Sequence, residues 1–193
     1  MSIRSNDPVS VAIVYHSGYG HTAVLADSIA QGVRDAGETP VLLKIDSAAQ
    51  DFDAILAAVA PAQAVIFGAP TYMGDVSAPF KAFADASSKA FFTGAWKDKL
   101  AAGFTNSHSF SGDKAHALNS LSILAAERGP ETLNRVGSFV GLAGQSDNAA
   151  PELSPPSGDR ETARLLGVRV AQAARRWRNG AAVANDVEAA QAA

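Results

Sequence analysis

Cysteine is absent from this 193-residue chain, so it has no disulfide, no thiolate nucleophile and no thiolate-held metal. That composition suits a reducing compartment, and a cytoplasmic location is expected. Charge is sparse and nearly balanced: 16 basic residues against 19 acidic ones leave a net charge of −3. A nucleic-acid partner calls for a concentrated basic face, so none is expected. A dedicated electron shuttle commonly carries a strongly acidic surface, which this balance also disfavours. No apolar run approaches the ~20 residues that cross a bilayer, so no membrane span is expected. The first ten residues lack the basic-then-apolar pattern of a secretory leader. Gly-x-Ser-x-Gly, His-Glu-x-x-His and Cys-x-x-Cys are all missing. His16, His21, His108 and His116 do not have ligand spacing, so no metal is expected.

What the chain does have is 47% hydrophobic residues, enough for one domain with a substantial core. Apolar runs alternate with helix-like periodicity, the pattern of βαβ units and a parallel sheet. Strands are expected at Val9–Tyr15, Pro40–Ile45, Ala64–Gly68, Leu100–Thr105 and Val136–Leu142. Helices are expected at Thr22–Ala36, Phe52–Val59, Pro79–Ala90, Lys114–Arg128 and Arg160–Arg178. Gly37 suits a helix C′ position, and Gly129-Pro130 a helix stop. The expected fold is α/β: a doubly wound five-stranded parallel sheet of order 2-1-3-4-5, with helices on both faces. Arg175, Arg176 and Arg178 read as a solvated cluster complementing the last helix dipole. Residues 1–178 are expected to form the domain, with the alanine-rich 179–193 as a loosely ordered extension.

Two strand ends carry the chemistry. Val11 to Val14 runs into Ser17-Gly18-Tyr19-Gly20-His21-Thr22 and then a helix with Val24, Leu25, Ile29 and Val33 on one face. Such a junction puts free N–H groups at the positive end of a helix dipole, where a phosphate binds. Two glycines allow close approach, and Ser17 and Thr22 offer hydroxyls. The plainer alternative is a turn capped by Ser17 or Thr22. Gly18-x-Gly20-x-x-Ala23 also fits the loose dinucleotide fingerprint, yet the two hydroxyls favour a phosphate monoester. The second strand end is Ala64-Val65-Ile66-Phe67-Gly68-Ala69-Pro70-Thr71-Tyr72-Met73-Gly74.

Together the two segments resemble the flavodoxin-like FMN proteins, in particular the WrbA-type NAD(P)H:quinone oxidoreductases and the NADPH-dependent FMN reductases. The resemblance covers about Val9 to Trp177. It implies FMN as cofactor, NADH or NADPH as donor, a quinone or similar acceptor, and a homodimer or homotetramer. By its pattern Ser17 to Thr22 hold the phosphate, and Pro70, Thr71, Tyr72, Met73 and Gly74 edge the flavin ring. A third loop, containing Thr105, Asn106, Ser107, Phe110 and Gly112, would meet the pyrimidine edge, with Phe110 walling the pocket. The WrbA-type pattern often has Arg-Phe where this chain has Tyr72-Met73, which leaves the nicotinamide or substrate preference open. No side chain is expected to act as acid or base, because the flavin performs the chemistry. The rival readings are a flavodoxin-like electron carrier and a flavin-free regulatory module. The proline-bearing loop of residues 141–158 is long enough to be functional, and is expected to help wall the pocket.

Overall fold

The computed structural model describes residues 7–126 and 142–191. Its elements are β1 (Ser10–His16), α1 (His21–Asp35), β2 (Thr39–Ile45), α2 (Asp53–Val59), β3 (Ala64–Tyr72), β4 (Asp75–Val76), α3 (Ala78–Ala86), α4 (Ser88–Thr93), β5 (Leu100–Ser107), α5 (Lys114–Ala126), β6 (Leu142–Gln145) and α6 (Ser157–Gln191). The sheet order is β2-β1-β3-β5-β6, all parallel, with β4 antiparallel on β3. Counting parallel strands alone, that is the expected 2-1-3-4-5.

Both faces of the sheet are covered, which is why its strands are apolar throughout and not alternating. Val11, Ile13 and Tyr15 of β1 pack under α1 and α6, against Leu25, Ile29, Val33, Leu166 and Val170. Ala12 and Val14 point the other way, into a cluster with Phe67, Phe80, Phe83, Trp96 and Leu121. Gly68 in β3 has the Phe104 ring of β5 lying where a Cβ would stand. Helix α1 closes in a Schellman motif: Gly37 at φ 78° donates to the Arg34 carbonyl, and Glu38 N–H to Val33. Helices α1 and α6 cross so closely that a Cβ on Gly32 would overlap the Arg164 carbonyl, and one on Gly167 the Ile29 carbonyl.

Several boundaries differ from expectation. β3 runs on to Tyr72 and turns back through β4, because Pro70 lies beyond Gly68, the last residue paired with β1. There the strand's β1 side has no ladder that a missing N–H could interrupt. The single helix expected at Pro79–Ala90 is two helices; at Ser87 between them the hydroxyl donates to the Ala84 carbonyl at 2.6 Å. The last helix begins at Ser157 and continues to Gln191, past the expected end at Arg178. The last strand is described as Leu142–Gln145; apart from Leu142, the expected Val136–Leu142 lies outside the described residues, as does Gly129-Pro130. Two of the arginines read as solvated are committed instead. Arg175 pairs with the buried Glu38, which also accepts the Val9 N–H, and Arg178 Nη1 donates to the Asp7 carbonyl.

Candidate functional site

β1 and β3 are neighbours whose following chains depart to opposite faces, and the crevice at their carboxyl ends is the switch point where ligands of open α/β sheets bind. A cleft of about 320 Å³ opens there. Four chain segments wall it. Tyr19, His21 and Thr22 come from the β1–α1 turn; Pro70, Thr71 and Tyr72 from the end of β3. Asn106, Ser107 and His108 come from the end of β5, and Ser146, Asp147 and Asn148 follow β6.

The β1–α1 turn leaves N–H groups open at a helix N-terminus, the arrangement that favours an anion. Gly20 enters α1 at φ 90°, a conformation costly for any residue with a Cβ, and a Cβ there would crowd Pro151. The first intrahelical bond is Val24 N–H to Gly20 O, so the N–H groups of His21 and Thr22 have no helical carbonyl to reach. Ser17 Oγ accepts the Ala23 N–H at 3.1 Å, a capping bond that leaves the hydroxyl its own hydrogen to donate. Thr22 is 2% exposed and lines the cleft. Gly18 lies beneath Tyr72, whose hydroxyl occupies the place of a Cβ, and Tyr72 meets Tyr19 edge to face with centroids 6.2 Å apart. Burial, with Tyr19 beside it, raises the Tyr72 pKa, so its hydroxyl keeps its proton as a donor.

Two histidines brace the turn. His21 Nε2 donates to the Ala149 carbonyl at 2.9 Å, tying α1 to the segment after β6. His16, buried at the end of β1, shares a 2.8 Å hydrogen bond between Nδ1 and Ser77 Oγ at the start of α3. Burial, then the Lys44 charge, lowers its pKa below the usual 6.5. The unfolded chain therefore takes up this proton first as pH falls. The His16 contribution to stability is intact above about pH 6.5 and is lost progressively below it. Urea melts of the protein and of His16→Gln between about pH 7.5 and 5 test this; the variant should show the shallower pH dependence.

At the far wall, hydrogen bonding decides which expected donors remain. Thr105 donates its single hydrogen to the Ala69 carbonyl at 2.7 Å, and Thr71 Oγ1 lies 2.7 Å from the same hydroxyl. Thr105, expected at the pyrimidine edge, has no hydrogen left to give a ligand. Ser107 likewise donates to the Ser109 carbonyl. Asn106 is different. Its Nδ2 donates to Ser146 Oγ at 2.6 Å, while its buried Oδ1 has no hydrogen-bond partner. Leaving a buried acceptor unmade costs about 1–3 kcal/mol, so this atom suits a ligand donor. Phe110, expected to wall the pocket, is 88% exposed and does not line it. The Ser109 carbonyl before it is fixed by two donors, Ser107 Oγ and Lys114 Nζ. Met73, with φ 48°, Gly74 and Gly112 also stand outside the lining, as do Ser17, Gly18, Gly20 and Thr105.

Sequence reading named the 141–158 loop but not its contributors Ser146, Asp147 and Asn148; only the loop's length signalled them. The N–H of Ala149, then Ser154, hold the Asp147 carboxyl below the usual range, so the cleft carries one fixed negative charge on this side. No group of three or more metal-ligating side chains occurs among the described residues, and no described helix is long and apolar enough to cross a membrane.

A doubly wound parallel sheet with a cleft at its switch point, and an open helix N-terminus in that cleft, defines a doubly wound α/β protein with its ligand crevice where open sheets place one. The sequence model described as NADPH-dependent FMN reductase matches residues 18–143. Flavodoxin FldP of Pseudomonas aeruginosa is 38% identical over 83% of this chain and 94% of its own length. A NAD(P)H dehydrogenase (quinone) of Syntrophobacter fumaroxidans is 28% identical over 87% and 98%. Among solved structures, a WrbA-like flavodoxin from Agrobacterium tumefaciens superposes with a TM-score of 0.76 at 43% identity, covering 87% of this chain and 98% of that one. The chain belongs to the NADPH-dependent FMN reductase family, a flavodoxin-like family of oxidoreductases. The likeness read from the two strand-end motifs is thus the one these relatives share.

Proposed function

We propose that the protein binds FMN without a covalent bond, takes electrons from NADH or NADPH, and passes them to a quinone or similar acceptor. The observation that carries this is one cleft holding both an open helix N-terminus at His21 and Thr22 and a buried, unpartnered acceptor at Asn106. The first suits a phosphate monoester; the second suits the ring N–H of a flavin pyrimidine. Bound there, FMN supplies the hydride-accepting atom, and the protein supplies orientation and electrostatics. Ser17, Gly18, Tyr19, Gly20, His21 and Thr22 form the phosphate turn, with His21 acting through its tie to Ala149. Thr71 and Asn106 flank the ring position, and Tyr19 and Tyr72 form its exposed edge. Residues 1–178 make the working domain, in a cytoplasmic homodimer or homotetramer.

The test begins with the purified protein, which should be yellow. Acid release followed by chromatography should yield FMN; recovery of mainly FAD would overturn the single-phosphate reading. With benzoquinone as acceptor, NADH or NADPH should be oxidised at well above the flavin-free rate. Nicotinamide and quinone then occupy one cleft in turn, so double-reciprocal plots should be parallel, and intersecting lines would reject the shared cleft. A second reading, an electron carrier without pyridine-nucleotide activity, is favoured by the likeness to flavodoxin FldP. Flavin reducible by dithionite but not by NADH or NADPH would select it.

A further inference from the structure

Lys114, the first residue of α5, is only 6% exposed. Removing an ammonium from water is costly unless partners replace the solvent. Its Nζ donates to the Ser109 carbonyl at 2.8 Å, and Ser107 Oγ donates to that same oxygen at 2.9 Å. The charge therefore sits two hydrogen bonds from a hydroxyl of a cleft-lining residue. Asp159 of α6 is close enough to favour the protonated lysine, while burial acts more strongly in the opposite direction. Asp159 also accepts the Gln145 N–H at 2.7 Å; Gln145 Nε2 donates to the His108 carbonyl at 2.9 Å, and Ser146 N–H to Ser107 O at 2.9 Å. The turn after β5 is held at three successive residues.

We propose that Lys114 is a positioning residue of the flavin site. It clamps Ser107 to Ser109 against the cleft, and it places a fixed positive charge behind that wall which favours the reduced, electron-rich flavin over the oxidised one. The proposal rests on the FMN reading above. A flavin ring gains negative charge on reduction, so a cation screened from water by a single turn of chain biases the redox equilibrium. The clamp does not depend on the charge, since any donor reaching the Ser109 carbonyl would supply it.

Three variants separate the two roles. Lys114→Gln keeps a donor for Ser109 without the charge, Lys114→Met removes both, and Lys114→Arg keeps the charge. The readouts are FMN affinity by fluorescence titration, the two-electron midpoint potential, and amide exchange of residues 107–112 in flavin-free protein. Lys114→Gln should favour reduced over oxidised FMN about tenfold less than the wild type, read as a midpoint about 30 mV lower, while its affinity for oxidised FMN changes little. Lys114→Met should show the same drop in potential, together with faster exchange and about tenfold weaker binding of oxidised FMN. Lys114→Arg should restore the potential. Wild-type potentials in Lys114→Gln would overturn the electrostatic role, and wild-type exchange in Lys114→Met would overturn the clamp. Should Lys114→Met fail to fold, Lys114→Gln and Lys114→Arg still decide the charge. Wild-type protein that takes up no FMN would overturn the site reading and the electrostatic role with it, and the exchange experiment would still judge the clamp.

Discussion

The double variant Ser17→Ala/Thr22→Val is expected to bind FMN about a hundredfold to ten-thousandfold more weakly than the wild type. In the proposed site each hydroxyl would give one hydrogen bond to a charged phosphate, worth ~1.5–3 kcal/mol apiece. Thr22 is buried and valine has its shape, so that half of the change acts on the ligand with little effect on packing. Ser17 has a second duty, capping the Ala23 N–H, so Ser17→Ala alone should also lower stability by about 1 kcal/mol. Flavin fluorescence titration measures the first effect and urea denaturation the second. Affinity unchanged in the double variant would remove the phosphate from this turn.

Gly32→Ala and Gly167→Ala are each expected to destabilise the protein by ~3 kcal/mol or more, a large part of the ~5–15 kcal/mol available to a domain of this kind. The sign is what makes the test sharp. Gly→Ala in an open helix ordinarily stabilises by ~1 kcal/mol. At these two positions the new methyl meets a backbone carbonyl of the opposite helix, Arg164 or Ile29, which no side-chain rotation can clear. Gly180, also in α6, has nothing within 4 Å of its Cβ position, so Gly180→Ala should be mildly stabilising. Thermal melts of the three variants give the comparison. Equal stability in all of them would mean that the helices part without cost.

Val11 to Val14 and Ala64 to Phe67 were readable because a strand covered on both faces must be apolar at every residue. The turn before α1 was readable as a turn because glycines at a tight bend and a short hydroxyl side chain ahead of a helix are local signals. Interactions between residues far apart in sequence were not. Lys114 looks like an ordinary polar helix start, and its burial depends on a carbonyl at Ser109 and a carboxylate at Asp159. Arg175 resembles a solvated helix-end cation, yet its partner Glu38 lies beyond the far end of α1. Ser146 to Asn148 are short polar residues with no period, and only the course of β6 brings them to the cleft. Thr105 shows the opposite error: its type suits a ligand donor, but a neighbouring strand's carbonyl claims its hydrogen.

The glycine crossing of α1 and α6 also sets how this protein can open. Backbone seated on backbone at Gly32 and Gly167 leaves no layer of side chains to shear, so α1 cannot creep along its neighbour as packed helices usually can. The free N–H groups of His21 and Thr22 sit at the start of that same helix. Of the chain ends around the mouth, the turn after β5 and the segment after β6 are tied down by hydrogen bonds, which leaves the turn bearing the exposed Tyr72 and Met73 as the least anchored wall. Any adjustment of the cleft to a ligand is therefore expected in its loops and not in a shift of α1 along α6.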